Sequence, residues 1–398
     1  MIGRRNLFST AAATSAAIGS FFAGRGVEAK TVASKVVGDV DLRGDTGRLE
    51  RFGTLDLESQ QDFVTGFRTF HNKSMNKVAA KRFQSLMVAK GMDPKAMVTY
   101  DQMLAIAEPD PIINLSAKTW LADQQVTWKT LQDYFYANAD MYLSEMEAAD
   151  KSGPGSLELN PDMMIPEYTK HEIHIQPGGY VGDPFAGHMY HYGTNSFYIG
   201  AIGHNEQDEI HKGTVANFPL PEDGKVKRIL DMGCGVGQMT VALKERFPDA
   251  EVWGLDIGGP MVRYGHMRAR KLGVNVNFVQ RLAEDTKFPD GFFDLTTSYI
   301  IHHELTQVAT RAVIAEAHRI TRSGGVYYPV DFNSGGTTGP AYGVYRRWWD
   351  HRWNNEVWSR EYHSLDFSAE IAKGGFTHNT KTPAALPGFG ARHFVRNA

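Results

Sequence analysis

Residues 228–239 read RILDMGCGVGQM: an apolar run, an acid at Asp231, then glycines at 233, 235 and 237. Main chain so bare of side chains lets a ligand approach closely. A dinucleotide site wants G-x-G-x-x-G, its third glycine beside the helix that carries the pyrophosphate. Here the glycines fall at every second position, and Gln238 follows Gly237. Asp231 stands just ahead of them, where a carboxylate repels a pyrophosphate and attracts a cation. An amino-acid ammonium and a sulfonium are both cationic, and S-adenosylmethionine carries both. The N-terminus of the following helix can receive that ligand's own carboxylate.

Two further acids fit the same ligand. VWGLDI carries Asp256, 25 positions after Asp231, and an acid at that strand tip can accept both ribose hydroxyls. FVQRLAEDTKFP places Glu284 and Asp285 just past a third strand, where an acid can accept a hydrogen bond from adenine N6.

Methyl transfer from a sulfonium is an in-line displacement at carbon. The protein must align the acceptor, exclude water and, for a hydroxyl or carbon acceptor, remove a proton. Bases belong at the carboxyl ends of the strands. His302, His303 and Glu304 directly follow the fourth strand. His303, with its near-neutral pKa, is the preferred base, and Glu304 is its orienter or substitute. The blander reading has these histidines packing or capping. Tyr190, His191 and Tyr192 lie just before the sheet domain, where they could close as a lid.

His171-x-x-His174 and His188-x-x-His191 look like ligand pairs, but the only cysteine, Cys234, is elsewhere and the spacing matches no metal signature. No metal is assigned. After the fifth strand, Trp348, Trp349 and Trp353 would line an aromatic or apolar acceptor pocket, with Arg346, Arg347 and Arg352 for an anionic group. The alternative there is a helix packed on the N-terminal domain with its arginines in water.

These residues need a frame. Phe63, Phe67 and Phe70 fall at i, i+4, i+7, and Trp128, Leu131 and Phe135 at i, i+3, i+7, each set one core-facing stripe of a helix. From about 58 to 150 the pattern is helical, and Lys151–Ser156 breaks it. Residues 165–215 read as an ordered, irregular loop of Gly, Pro and aromatics. From 225 onward strand and helix patterns alternate: strands at 228–232, 251–256, 274–279, 293–301 and 326–332, helices at 238–247, 260–272 and 306–320. Alternation of this kind means βαβ units and a parallel sheet with helices on both faces. Pro329 lies inside the last strand, where it predicts a bulge or a ladder that ends early. Four segments follow: a leader over 1–29, a helical domain over 30–164, a lid over 165–215 and a cofactor domain over 216–398.

RILDMGCGVGQM, EVWGLDIGGPMVRYG, AEDTKFPDGFFDLTTSYIIHHE and EAHRITRSGGVYYPVDF together resemble the successive motifs of class I S-adenosylmethionine-dependent methyltransferases, in their order and at their usual intervals over roughly residues 225–332. The resemblance implies a Rossmann-like α/β fold: a seven-stranded, mostly parallel sheet whose last two strands pair as an antiparallel hairpin, with Gly375–Thr382 and Gly388–Val395 as candidates. It implies that Asp231, Gly233, Gly235 and Gly237 cradle the methionine moiety and that Asp256 binds ribose between Ile257 and Met261. By the same resemblance Glu284 and Asp285 lie at the adenine, and Ser298 belongs to the cofactor site. The helical extension names no substrate.

The chain has 398 residues, 42% hydrophobic and 22% charged, with a formal net charge of -3. That balance gives no electrostatic reason to expect nucleic acid or an acidic membrane surface as partner. One cysteine allows no internal disulfide. Arg4-Arg5, an uncharged stretch from Asn6 to Gly24, and Val27-Glu28-Ala29 fit a twin-arginine export signal and a periplasmic address. The stretch is too polar for a stable membrane span. The sequence reading is an S-adenosylmethionine-dependent methyltransferase acting on a small aromatic or apolar molecule, with O-methylation favoured and a homodimer through the helical domain. Two alternatives stand: the same fold turned to lyase, cyclase or isomerase chemistry, and an exported metal-binding protein using the His-rich loop.

Overall fold

The apolar runs at Ile229–Met232, Phe293–Leu295 and Val326–Val330 are the mark of strands buried on both faces, and they form the centre of one sheet. The computed structural model describes residues 45–46, 48–202, 206–381, 389–390 and 392–397. The expected export leader, residues 1–29, lies outside the described residues.

The sheet contains β1 (Ser156–Glu158), β2 (Arg228–Met232), β3 (Glu251–Asp256), β4 (Asn277–Gln280), β5 (Phe293–Tyr299), β6 (Thr321–Phe332), β7 (Phe376–His378), β8 (Phe389–Gly390) and β9 (Phe394–Arg396). Its order is β7-β9-β6-β5-β2-β3-β4-β1, with β8 also on β6. From β6 to β1 the pairs are parallel; β9 joins β6, and β7 joins β9, antiparallel. The terminal hairpin thus takes the place the sequence predicts. The extra edge strand β1 comes from the segment after the Lys151–Ser156 break, with Leu157 opposite Phe278.

Pro329 keeps its place in the parallel ladder, opposite Ser298, so there is no bulge there. Tyr328 and Val330 turn their carbonyls to the β5 side, accepting from Thr297 Oγ1 at 2.7 Å and Ile300 N at 2.7 Å. Pro329 therefore faces the other way. On that side β9 pairs at residues 326–327 and β8 at 331–332, and Pro329 sits between them, where a missing N–H breaks no described bond.

Helices cover both faces: α8 (Gln238–Arg246) and α9 (Gly259–Lys271) on one side, α10 (Gln307–Ile320) on the other, where Val313, Ala317 and Ile320 are fully buried. Ahead of the sheet come α1 (Leu55–Phe70), α2 (Asn76–Ala89), α3 (Tyr100–Ala107), α4 (Pro111–Ala137) and α5 (Ala139–Asp150), with one π turn, His71–Met75, joining α1 to α2. Residues 46–398 form one compact unit. Trp128, Leu131 and Phe135 of α4 are buried as predicted. The Phe stripe of α1 is not: Phe63 is 73% exposed and Phe70 51%. The helix instead buries Leu57, Gln61, Val64 and Arg68, because a buried ion pair of Arg68 with Asp123 at 2.6 Å turns that mixed face inward.

The expected irregular lid is the second difference. Its latter part folds as α6 (Ala186–Ile202) and α7 (Glu206–Ala216). The glycines read as loop residues are points of close approach: a Cβ at Gly187 would overlap Tyr264, and one at Gly193 would overlap the Trp128 ring. After β6, α11 (Ala341–Trp353) packs on α3 and α2 through Val344, Tyr345 and Trp349. Among the described residues no helix is long and apolar enough to cross a membrane.

Candidate active site

The loop between β2 and α8 turns on left-handed residues, Gly233 at φ 71° and Gly237 at φ 74°. A side chain is excluded at both by packing as well as by φ: a Cβ at Gly233 would overlap Ile301, and one at Gly237 the Phe278 ring. The loop is tied to the next strand, with Gly233 N and Cys234 N donating to Leu255 O at 2.7 and 2.9 Å.

Asp231 is fully buried beneath this loop. Its Oδ2 accepts from Thr240 Oγ1 at 2.7 Å, while its Oδ1 has no hydrogen-bond partner among the described residues. Burial pushes its carboxyl up to about 7, against the Thr240 hydrogen bond and with help from Asp256. An unpartnered buried carboxylate oxygen is costly unless a cation reaches it. It borders a small hollow with Tyr190, Gly233, Cys234, Gly235 and Gln238.

Asp256 ends β3 in a fixed orientation: Gly235 N donates to Oδ2 and Gly258 N to Oδ1, each at 2.8 Å. Burial raises its carboxyl to about 6, and the two N–H donors oppose the rise. Its remaining lone pairs face a narrow cleft of about 100 Å³ walled by Tyr168, Tyr180, Gly233, Ile257, Glu284 and Ile301. Glu284 lies in that wall and accepts from the Tyr168 hydroxyl. Asp285 does not; its side chain is 51% exposed and pairs with Lys287 on the outside. Ser298 is fully buried within β5, away from the cavity walls.

A larger cavity of about 390 Å³ shares Gly233, Asp256 and Ile301 with the cleft. Tyr180 and Glu304 line both spaces, and beyond them the larger one is walled by His303, His174, Tyr190 and Phe332. His303 Nδ1 is 2.8 Å from Asp331 Oδ1, and both side chains are buried. Burial works against a charge on His303, but the Asp331 carboxylate overrides it and raises the imidazole to about 10. His303 is thus an imidazolium at neutral pH, which corrects the expectation that it is the base. Its Nε2 lies 3.9 Å from Glu304 Oε1. Glu304 is also 3.5 Å from His174 Nε2, so its carboxylate sits between two imidazoles on the cavity wall.

His174 is held hard. It has a left-handed φ of 52°, as does Ile175, and its carbonyl accepts from Trp128 Nε1 at 2.8 Å and Gln124 Nε2 at 3.2 Å. Its Nδ1 meets Asn354 Nδ2 at 2.9 Å and Glu356 Oε1 at 3.4 Å. Strain of this kind persists only where surrounding contacts over-determine it.

The other sequence-predicted bases are placed elsewhere. His302 turns into the sheet, with Nε2 2.9 Å from the Tyr327 hydroxyl and its ring on Phe367; burial depresses it to about 3. His191 faces the core, Nδ1 2.7 Å from the Tyr264 hydroxyl, and burial likewise depresses it to about 3. Its partner in spacing, His188, packs among Phe135, Tyr142 and Tyr264. Only Tyr190 of the lid trio reaches the cavity, from a packed helix and not a hinged flap. Trp349 is fully buried edge-on to Trp120, and Trp353 is 41% exposed. The aromatic wall comes from Trp120, Tyr180, Tyr190, Tyr299 and Phe332 instead.

Sequence reasoning missed Asp331, Arg68 and the Asp350–Asn354–Glu356 edge, and read His174 only as half of a metal-ligand pair. Asp331 had a signal: an acid at the tip of β6, beside the strand that delivers His302 and His303, in the quoted run PVDF.

Residues 229–325 match the model of a methyltransferase domain. Over 127 residues the chain is 35% identical to an uncharacterized methyltransferase from Synechocystis sp., a match that covers 32% of this chain and 56% of the relative. Over 106 residues it is 34% identical to a demethylmenaquinone methyltransferase from Thermus thermophilus, covering 27% of this chain and 47% of that one. The chain spans about half the length of these curated relatives. Among solved structures, geranyl diphosphate C-methyltransferase from Streptomyces coelicolor aligns with a TM-score of 0.37 at 17% identity, over 50% of this chain and 79% of that chain. The matched domain contains Asp231, the glycine loop, Asp256 and His302–Glu304; Asp331, α1 and α11 lie outside it.

Proposed function

We propose that this chain is an S-adenosylmethionine-dependent methyltransferase whose acceptor, a small molecule with a hydroxyl, occupies the cavity in front of Glu304. One observation carries the reading: Asp231 Oδ1, buried and without a partner among the described residues, lies under a loop that has no room for a side chain at Gly233 or Gly237 and adjoins that cavity. The residues fit the cofactor. Asp231 would hold its ammonium, Asp256 its ribose hydroxyls, and the cleft beside Ile257 and Glu284 its adenine. When bound, S-adenosylmethionine supplies an electrophilic methyl group on a sulfonium.

The chain's own residues do the rest. Glu304 accepts the proton from the acceptor hydroxyl. His303, kept protonated by Asp331, and His174, kept in place by Asn354 and Glu356, fix the Glu304 carboxylate from two sides. Tyr180 and Tyr190, edge to face at 5.4 Å, wall the junction of cleft and cavity against water. Phe332 and Tyr299 give an aromatic or apolar acceptor body a surface to lie on.

The test is formation of S-adenosylhomocysteine. The purified chain, given S-adenosylmethionine and a small-molecule extract of its own cells, is expected to produce it together with a product heavier by one methylene, and Glu304→Gln is expected to stop both. Conversion of a substrate without S-adenosylhomocysteine would refute methyl transfer in favour of lyase, cyclase or isomerase chemistry.

A further inference from the structure

The cavity extends beyond the groups that the transfer uses. Its far wall is built from α1 and its π turn, α4 and α11, and it carries Arg68, Asn72, Trp120, Gln124 and Arg346. Two guanidinium groups converge there on one indole: Arg68 Cζ is 4.1 Å and Arg346 Cζ 5.8 Å from the centroid of Trp120, and Arg346 is also 4.7 Å from the Trp349 ring. The π turn at His71–Met75 lies at this point of the helix, and such turns are frequent at functional sites.

The charges at this wall are unevenly matched. Arg68 is neutralised by Asp123 at 2.6 Å, both side chains being 3% exposed, and it donates to Gln124 Oε1 at 2.7 Å. Arg346 has Asp350 at 3.3 Å. Burial pushes the Asp350 carboxyl up to about 7 despite Arg346, with Glu356 adding to the rise, so it is a weak counterion. Burial, with Arg346 contributing, lowers Arg68 to about 10. Arg68, buried, and Arg346, 28% exposed, put like charges on one cavity wall, which an arriving anion relieves, and guanidinium forks match the oxygens of carboxylate and phosphate.

We propose that Arg346, with Arg68 beside it over Trp120, forms a subsite for an oxyanion carried by the methyl acceptor, a carboxylate or a phosphate. Arg346, Asp350 and Asn354 lie four residues apart along α11 and its C-cap, and all three line the cavity. Asn354 holds His174, which holds Glu304. Eight residues at 1.5 Å each put Arg346 about 12 Å along the helix from Asn354, the residue that reaches Glu304 through His174. The acceptor is therefore an elongated molecule with its nucleophile at one end and a negative charge at the other. The subsite deepens the methyltransferase reading and rests on it.

The experiment is calorimetry on the full chain with S-adenosylhomocysteine present. The probes are 4-hydroxycinnamate, its uncharged methyl ester and inorganic phosphate, and the variants are Arg346→Gln and Arg346→Lys. The acid is expected to bind about tenfold tighter than the ester. Arg346→Gln should erase that advantage, Arg346→Lys should retain part of it, and both should bind S-adenosylhomocysteine as the parent does. If phosphate binding alone depends on Arg346, the oxyanion is a phosphate. If S-adenosylhomocysteine binds but neither anion depends on Arg346, the subsite is overturned and the methyltransferase reading stands. If the anions show the dependence and S-adenosylhomocysteine does not bind, the cofactor reading fails and the anion site survives.

Discussion

Asp331→Asn isolates the pair that sets the protonation of the site. The substitution keeps the shape of the side chain, but its single amide oxygen can replace only one of Oδ2 and Oδ1, which now accept from His302 N at 2.8 Å and Phe332 N at 2.7 Å, so one backbone bond is lost with the charge. It removes the charge that holds the proton on His303. In the folded chain His303 titrates at about 10, against an ordinary 6.5. At 1.36 kcal/mol per pH unit that difference corresponds to about 5 kcal/mol, and breaking a buried pair from one side costs about 3–5 kcal/mol. Because the folded value is the higher one, the stabilisation is complete below pH 6.5 and is lost as pH rises through about 10. Urea unfolding of parent and variant at pH 6, 8 and 9.5 reads the gap directly. It should be about 3–5 kcal/mol at pH 6 and narrow through pH 8 to pH 9.5, where the loss of one buried backbone bond leaves about 1–3 kcal/mol. A variant as stable as the parent at pH 6, or a gap that stays constant to pH 9.5, would refute the buried imidazolium.

Three further outcomes follow from the same geometry. Glu304→Gln should lower turnover by about 10²–10⁴, with S-adenosylhomocysteine affinity intact; turnover within a factor of a few of the parent would return the proton-accepting role to another group. Turnover of the parent should fall as pH is raised through about 10, where His303 loses its proton, and a rate that instead climbs there would make His303 the base. Gly237→Ala meets both the Phe278 ring and a left-handed backbone, and should lower stability by about 1–3 kcal/mol in a thermal melt; an unchanged melting point would contradict the packing of the loop.

The sheet was legible because its strands are apolar on both faces and alternate with helices whose buried stripes, such as Ala309–Val313–Ala317–Ile320, repeat at helical period. Register and order were not open to that signal, and the resemblance supplied only the mostly parallel pairing and the terminal antiparallel hairpin. The α1 face was misread because two stripes of equal period compete on it. The aromatic one is the more hydrophobic, yet Gln61 and Arg68 go inside, since Arg68 finds Asp123 on a helix far away in sequence. The segment 186–202 looked like a loop because glycine has two uses, turning a chain and letting helices touch, and composition does not separate them. The cofactor acids were readable as single residues at strand tips. On the acceptor side Glu304 and Arg346 were readable singly but their convergence was not: His174 comes from a strained turn, Glu304 from the turn after β5, Asp331 from β6 and Arg346 from α11, and only the fold brings them together.

The account stands on a buried carboxylate and a second, backbone-held one that together select a cationic sulfur nucleoside. Isothermal calorimetry of the full chain with S-adenosylmethionine, before and after neutralising Asp231→Asn and Asp256→Asn together, tests it most directly. The parent should take up one equivalent and the double variant should bind at least about a hundredfold more weakly, two tenfold steps of 1.4 kcal/mol. No uptake by the folded parent, or equal uptake by the double variant, would contradict it.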